Sequence, residues 1–90
     1  MPATHAAVSV TTNPTLIIGA NPNRQGVIIS NNTNASLYCG PDSSLTTSDG
    51  IVVPGNGTLI LSAQGELYKG DIYGIVASST NDVRYMEWTP

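Results

Sequence analysis

The chain has little of what usually does chemistry. Its one cysteine, Cys39, cannot form a disulfide within the chain. Its one histidine, His5, rules out a Cys/His zinc site built from one copy. There is no phenylalanine and one tryptophan, Trp88, so any core is thin and aliphatic. Charged residues make up 10% of the 90 positions, and the cations are only Arg24, Lys69 and Arg84. A net charge of −3 with no basic cluster argues against nucleic acid, which is bound by displacing counterions with Lys and Arg. It argues equally against attachment to an anionic membrane. No run approaches the roughly 18 apolar residues of a membrane span. The opening Met1-Pro2-Ala3-Thr4-His5 lacks the basic and apolar regions of a secretion signal, so synthesis in a cytoplasm is expected. No window keeps apolar residues at i, i+3, i+4 and i+7, so helices are not expected either.

What is present is strand and turn punctuation. Apolar residues are 40% of the chain, too many for simple disorder. Short β-branched runs recur every 8–12 residues or so, the spacing of a sandwich or barrel. The clearest stretch is Arg24 to Gly57. There a strand over 24–31 ends at Asn31-Asn32-Thr33-Asn34, and Ser36–Cys39 is expected to return beside it as a hairpin. A polar loop with a weak edge piece at 46–48 follows, then Ile51-Val52-Val53 before Pro54, whose missing N–H bars a central ladder bond. Gly55-Asn56-Gly57 is expected to turn a hairpin. Further strands are expected over 6–12, 15–18, 58–62, 67–68, 72–77 and 82–88, with turns at Gly65-Glu66 and at 78–81. The sequence thus predicts one all-β domain over 1–90: a compact antiparallel sandwich or barrel of about eight short strands. Residues 1–12 form an extended N-terminal arm or a first strand, and 13–90 the core. Val8, Val10, Ile17, Val27, Ile29, Leu37, Cys39, Val53, Leu59, Leu61, Ile72, Ile75, Val83 and Tyr85 are the predicted core residues.

Such a short chain buries only about two-thirds of its unfolded surface, and domains of this size commonly need a staple. With disulfide and zinc excluded, self-association remains. Enzymatic chemistry is not expected. Asp42, Asp49, Glu66, Asp71 and Asp82 sit at turn positions, where Asp and Glu serve local hydrogen bonds. His5 lies near the chain start, and Cys39 lies in an apolar strand with nothing basic beside it. The segment around Asp42 and Asp49 lacks calcium-loop spacing. No cofactor or metal is expected. Asn31, Asn34 and Asn56 begin N-x-S/T triplets and read as turn residues. Tyr85 and Trp88 cannot share a face of a regular strand, so Trp88 faces outward or a bulge near Met86 re-aims it. Arg84 can pair with Asp82 or Glu87. His5, Val8, Arg24, Tyr73, Arg84 and Trp88 are the candidate interface residues.

Several segments together resemble small tailed-bacteriophage virion proteins. They are Asn21-Pro22-Asn23-Arg24, the strand ending in Asn31-Asn32, Leu37-Tyr38-Cys39-Gly40 and Asp42–Thr47. Gly50–Gly55, Asp71–Ile75 and Val83–Trp88 extend the likeness, which covers roughly residues 21–88. It implies a capsid decoration (cement) protein, bound on the virion surface where major capsid subunits meet. A homotrimer with the major capsid protein as partner is what it implies, with residues 2–12 as the arm reaching the shell. The other roles it leaves open are a tail or head-fibre module gripping a host glycan and a head–tail joining protein.

Overall fold

The computed structural model describes residues 2–62 and 67–90, the side chain of Ser62 excepted. Eight strands form in chain order: β1 (Ala3–Val10), β2 (Thr15–Ile18), β3 (Gly26–Asn31), β4 (Leu37–Gly40), β5 (Ile51–Val53), β6 (Thr58–Ser62), β7 (Ile72–Ile75) and β8 (Asn81–Trp88). They make two four-stranded antiparallel sheets, ordered β1-β8-β3-β6 (sheet A) and β2-β7-β4-β5 (sheet B). Every connection but β4–β5 crosses from one sheet to the other. This order is that of an eight-stranded jelly roll, a two-sheet Greek-key sandwich.

The crossing connections correct several sequence expectations. β3 and β4 are not a hairpin: β3 lies between β8 and β6, and β4 lies between β7 and β5. Gly55-Asn56-Gly57 turns, but between sheets. Gly57 N donates to Pro54 O at 2.8 Å, and Asn56 takes φ 60. A Cβ on Gly55 would lie 1.9 Å from Asn34 O, because the turn packs against the 32–36 corner. Residues 46–48 form turns rather than an edge strand. The chain start is strand, with β1 pairing β8 from Ala3↔Trp88 to Val10↔Asn81. The turn expected at Gly65-Glu66 lies outside the described residues.

Between the sheets pack Val10, Ile17, Ile18, Val27, Ile29, Leu37, Cys39, Val53, Ile72, Val76 and Val83, flanked by Val8, Leu59, Leu61 and Tyr85. Alternation supplies most of this set, since every second side chain of a strand faces the other sheet. Ile18 is the exception. A register shift between Leu16 and Ile18 lets two successive isoleucines, Ile17 and Ile18, be buried. Leu45, from the β4–β5 loop, is also buried, against Gly40 and Gly50.

Two polar clusters tie the sandwich at its ends. At one, Asn31 is fully buried, and its amide donates to Ala35 O, Val53 O and Pro54 O at 2.8, 3.2 and 3.1 Å. Asn81 donates to Asn31 Oδ1 at 3.1 Å and to Ala35 O at 2.9 Å. Three crossovers, after β3, β5 and β7, are thereby pinned together. At the other end Arg24, 1% exposed, donates from Nε to Glu87 Oε2 at 2.6 Å. Its remaining donors reach Tyr68 O, Gly70 O and Gly19 O at 2.9–3.1 Å. Asn21 Nδ2 donates to the other Glu87 oxygen at 3.2 Å. Among the described residues no buried side-chain nitrogen or oxygen lacks a partner.

Candidate functional site

The outer face of sheet A is built by register. In β8 the core side takes Asn81, Val83, Tyr85 and Glu87, while Asp82, Arg84, Met86 and Trp88 point away. The β8 register is unbroken against both neighbours, so Trp88 faces outward and no bulge re-aims it. The ladders then set His5, Met86, Ile28 and Ile60 in one row across all four strands. Ala7, Arg84, Ser30 and Thr58 form the next row. On the far side Trp88 stands between Ala3 and Gly26. A Cβ on Gly26 would lie 2.1 Å from Trp88 Cζ2, so the indole lies flat over this glycine. Ile60 is 62% and Met86 42% exposed. A shallow depression of about 560 Å³ runs over this face, lined by His5, Ala7, Ile28, Ser30, Arg84 and Met86. An ion pair on it, Arg84 to Asp82 at 3.0 Å, is solvent-exposed and worth little.

Three of the six candidate interface residues, His5, Arg84 and Trp88, meet on this face. The other three do not. Arg24 is spent inside the subunit on Glu87 and three carbonyls, and offers nothing to a partner. Val8 faces the core. Tyr73 stands on the outer face of sheet B, opposite Leu16 and Gly40. Trp88 and Tyr73 therefore lie on opposite sides of the sandwich and cannot stack on one sugar. Sequence reasoning missed Ile28, Ile60 and Met86 as surface residues of interest. Alternation carries the signal, since each occupies the position opposed to a core residue.

The groups with chemical potential are dispersed. Burial pushes the Cys39 thiol up to about 11, so it stays protonated and inert at neutral pH. Asp42 accepts from Ser44 N at 2.9 Å and Ser44 Oγ at 2.5 Å, and these bonds hold its carboxyl below the usual range. Asp49 accepts from Thr46 N at 2.9 Å. Both carboxylates thus fold the β4–β5 loop on itself. Asp71 accepts from Ala20 N at 2.7 Å and ties the β2–β3 and β6–β7 connections. Among the described residues no three His, Cys, Asp or Glu side chains come together. A second hollow of about 270 Å³, between the edges of β5 and β6, is lined by Cys39, Ile51, Leu59, Leu61, Tyr68 and Ile72. Among the described residues no charged group lines it. No family model matches the chain, and no curated protein or solved structure matches it either.

Proposed function

We propose that this chain is a structural virion protein that binds the outside of a tailed-phage shell at junctions between major capsid subunits and stabilises it. The observation that carries the reading is the outer face of sheet A. It is a broad, low-charge surface with an apolar row and an anchored tryptophan, on a domain whose polar side chains are used to hold its own loops. The sequence resemblance points the same way. The fold is compatible, since jelly rolls serve viral shells among other uses, but a fold does not by itself choose a function. The mechanism is mechanical. Each contact of this face with two neighbouring capsomers removes apolar surface from water, at about 25 cal/mol per Å². Pressure from packaged DNA must then break those contacts as well as the capsomers' own.

The test is co-sedimentation of the purified protein with empty shells of the phage that carries it. Saturable binding that drops at least tenfold with Met86→Asp or Ile60→Asp is expected, the variants remaining folded by circular dichroism. Absence of shell binding by the folded wild-type protein would overturn the reading.

A further inference from the structure

The edges of sheet B are guarded and those of sheet A are not. β2 is four residues long and carries the bulge between Leu16 and Ile18. β5 is three residues long and runs into Pro54. Short length, bulges and proline are the devices that stop an edge from pairing with another chain. β1, by contrast, keeps unbroken register with β8 over eight residues. β6 does the same with β3 over five. Neither β1 nor β6 contains Lys, Arg, Asp, Glu or Pro. The far edges of both meet no strand among the described residues.

We propose that β1 of one copy pairs antiparallel with β6 of a second copy, so that chains join head to tail through sheet A and close into a ring. Direction is the first argument. Each neighbouring pair in β1-β8-β3-β6 is antiparallel, so the two outermost strands run in opposite senses. Copies related by rotation about an axis along the strands therefore meet antiparallel at every seam. Closure is the second. A head-to-tail ring pairs both open edges and leaves no template for further growth. A two-fold β1–β1 contact would leave β6 bare on each copy. The third is side-chain fit. At the seam Ile60, 62% exposed, meets the outward positions of β1, which are Ala3, His5, Ala7 and Ser9. A large apolar group is set against small ones, with no like charges opposed. The row His5–Met86–Ile28–Ile60 then continues from copy to copy.

This inference concerns the free protein and stands apart from the shell reading. A folded monomer that binds shells refutes it alone, and a ring that ignores shells refutes only the shell reading. The experiment uses the full chain. Its mass is measured by light scattering, and Ile60→Cys is combined in turn with Ala3→Cys, His5→Cys and Ala7→Cys. All four positions are exposed, so the fold tolerates the changes, and Cys39 stays buried and out of reach. The expected mass is a whole multiple, two or greater, of the 9.4 kDa chain. After oxidation at least one double variant gives a covalent ladder on a non-reducing denaturing gel, and every single variant runs as one chain. A 9.4 kDa particle overturns the proposal. So does cross-linking by a β1 single variant, which means β1–β1 pairing, and so does an oligomer in which no double variant cross-links.

Discussion

Arg24 shows how little of a residue's role its type reveals. From the sequence it is a cation at the mouth of a strand, available to a partner. In the fold it is the largest fully buried side chain, with Glu87 as its counter-ion. The separation of 63 positions explains why the pairing was not legible, since nothing local marks Glu87 as inward. Removing one member of a buried pair strands the other charge and costs about 3–5 kcal/mol. Glu87→Gln and Arg24→Met should each lower stability by that order in urea titrations, and a loss within error of zero would show the pair to be dispensable. Cys39 was legible as buried and inert from its apolar strand. Its thiol is raised from an ordinary 9.0 to about 11, so the unfolded chain ionises first as pH rises. The stabilisation from this group is therefore complete below pH 9.0 and is lost as pH climbs toward about 11. Cys39→Val should flatten the alkaline fall in stability across that window, and the wild-type thiol should react with Ellman's reagent only on unfolding.

At the scale of elements, most strand positions were legible, those expected at 46–48 and 67–68 being the exceptions, and strand partners were not. Val27–Asn31 and Leu37–Cys39 are separated by a polar turn of hairpin length, and alternation marks their inward faces correctly. Alternation, however, says which face is buried and not which strand lies alongside. Neighbours in sequence occupy opposite sheets because the 32–36 corner is held by Asn31 and Asn81, whose buried side-chain amides replace the missing ladder. Asn31 reads as an ordinary turn residue, so the corner had no visible signature. Asn31→Ala would take the side-chain donor from Val53 O and the Oδ1 acceptor from Asn81, while Ala35 O keeps Asn81 and Pro54 O keeps Gly57 N, and should destabilise by about 1–3 kcal/mol, read by thermal or urea melting. The Gly26–Trp88 stack gives an optical test of register. Trp88 is the only tryptophan, and Gly26→Ala puts a methyl where the indole lies. Its emission should shift to the red while the far-ultraviolet dichroism keeps its β signature. An unchanged spectrum would mean that the indole lies elsewhere.

At the scale of the whole molecule, the two readings that matter share one surface. Sheet A carries the bare edges and the apolar row, and sheet B carries the guarded edges. The all-β class and most core positions could be read from period-two patterning. The topology could not, and neither could the gathering of His5, Arg84 and Trp88 on one face, because both follow from long-range register. The chain start also changes meaning at this scale. Residues 3–10 complete sheet A, so deleting residues 2–10 would bare the β8 edge and should cost stability as well as any binding. The most direct test of the central claim is the number of copies of this chain per purified virion, by quantitative mass spectrometry against the major capsid protein. The account predicts a copy number that scales with the junctions between capsomers. A small fixed number, matching the symmetry of a tail or connector, would contradict it.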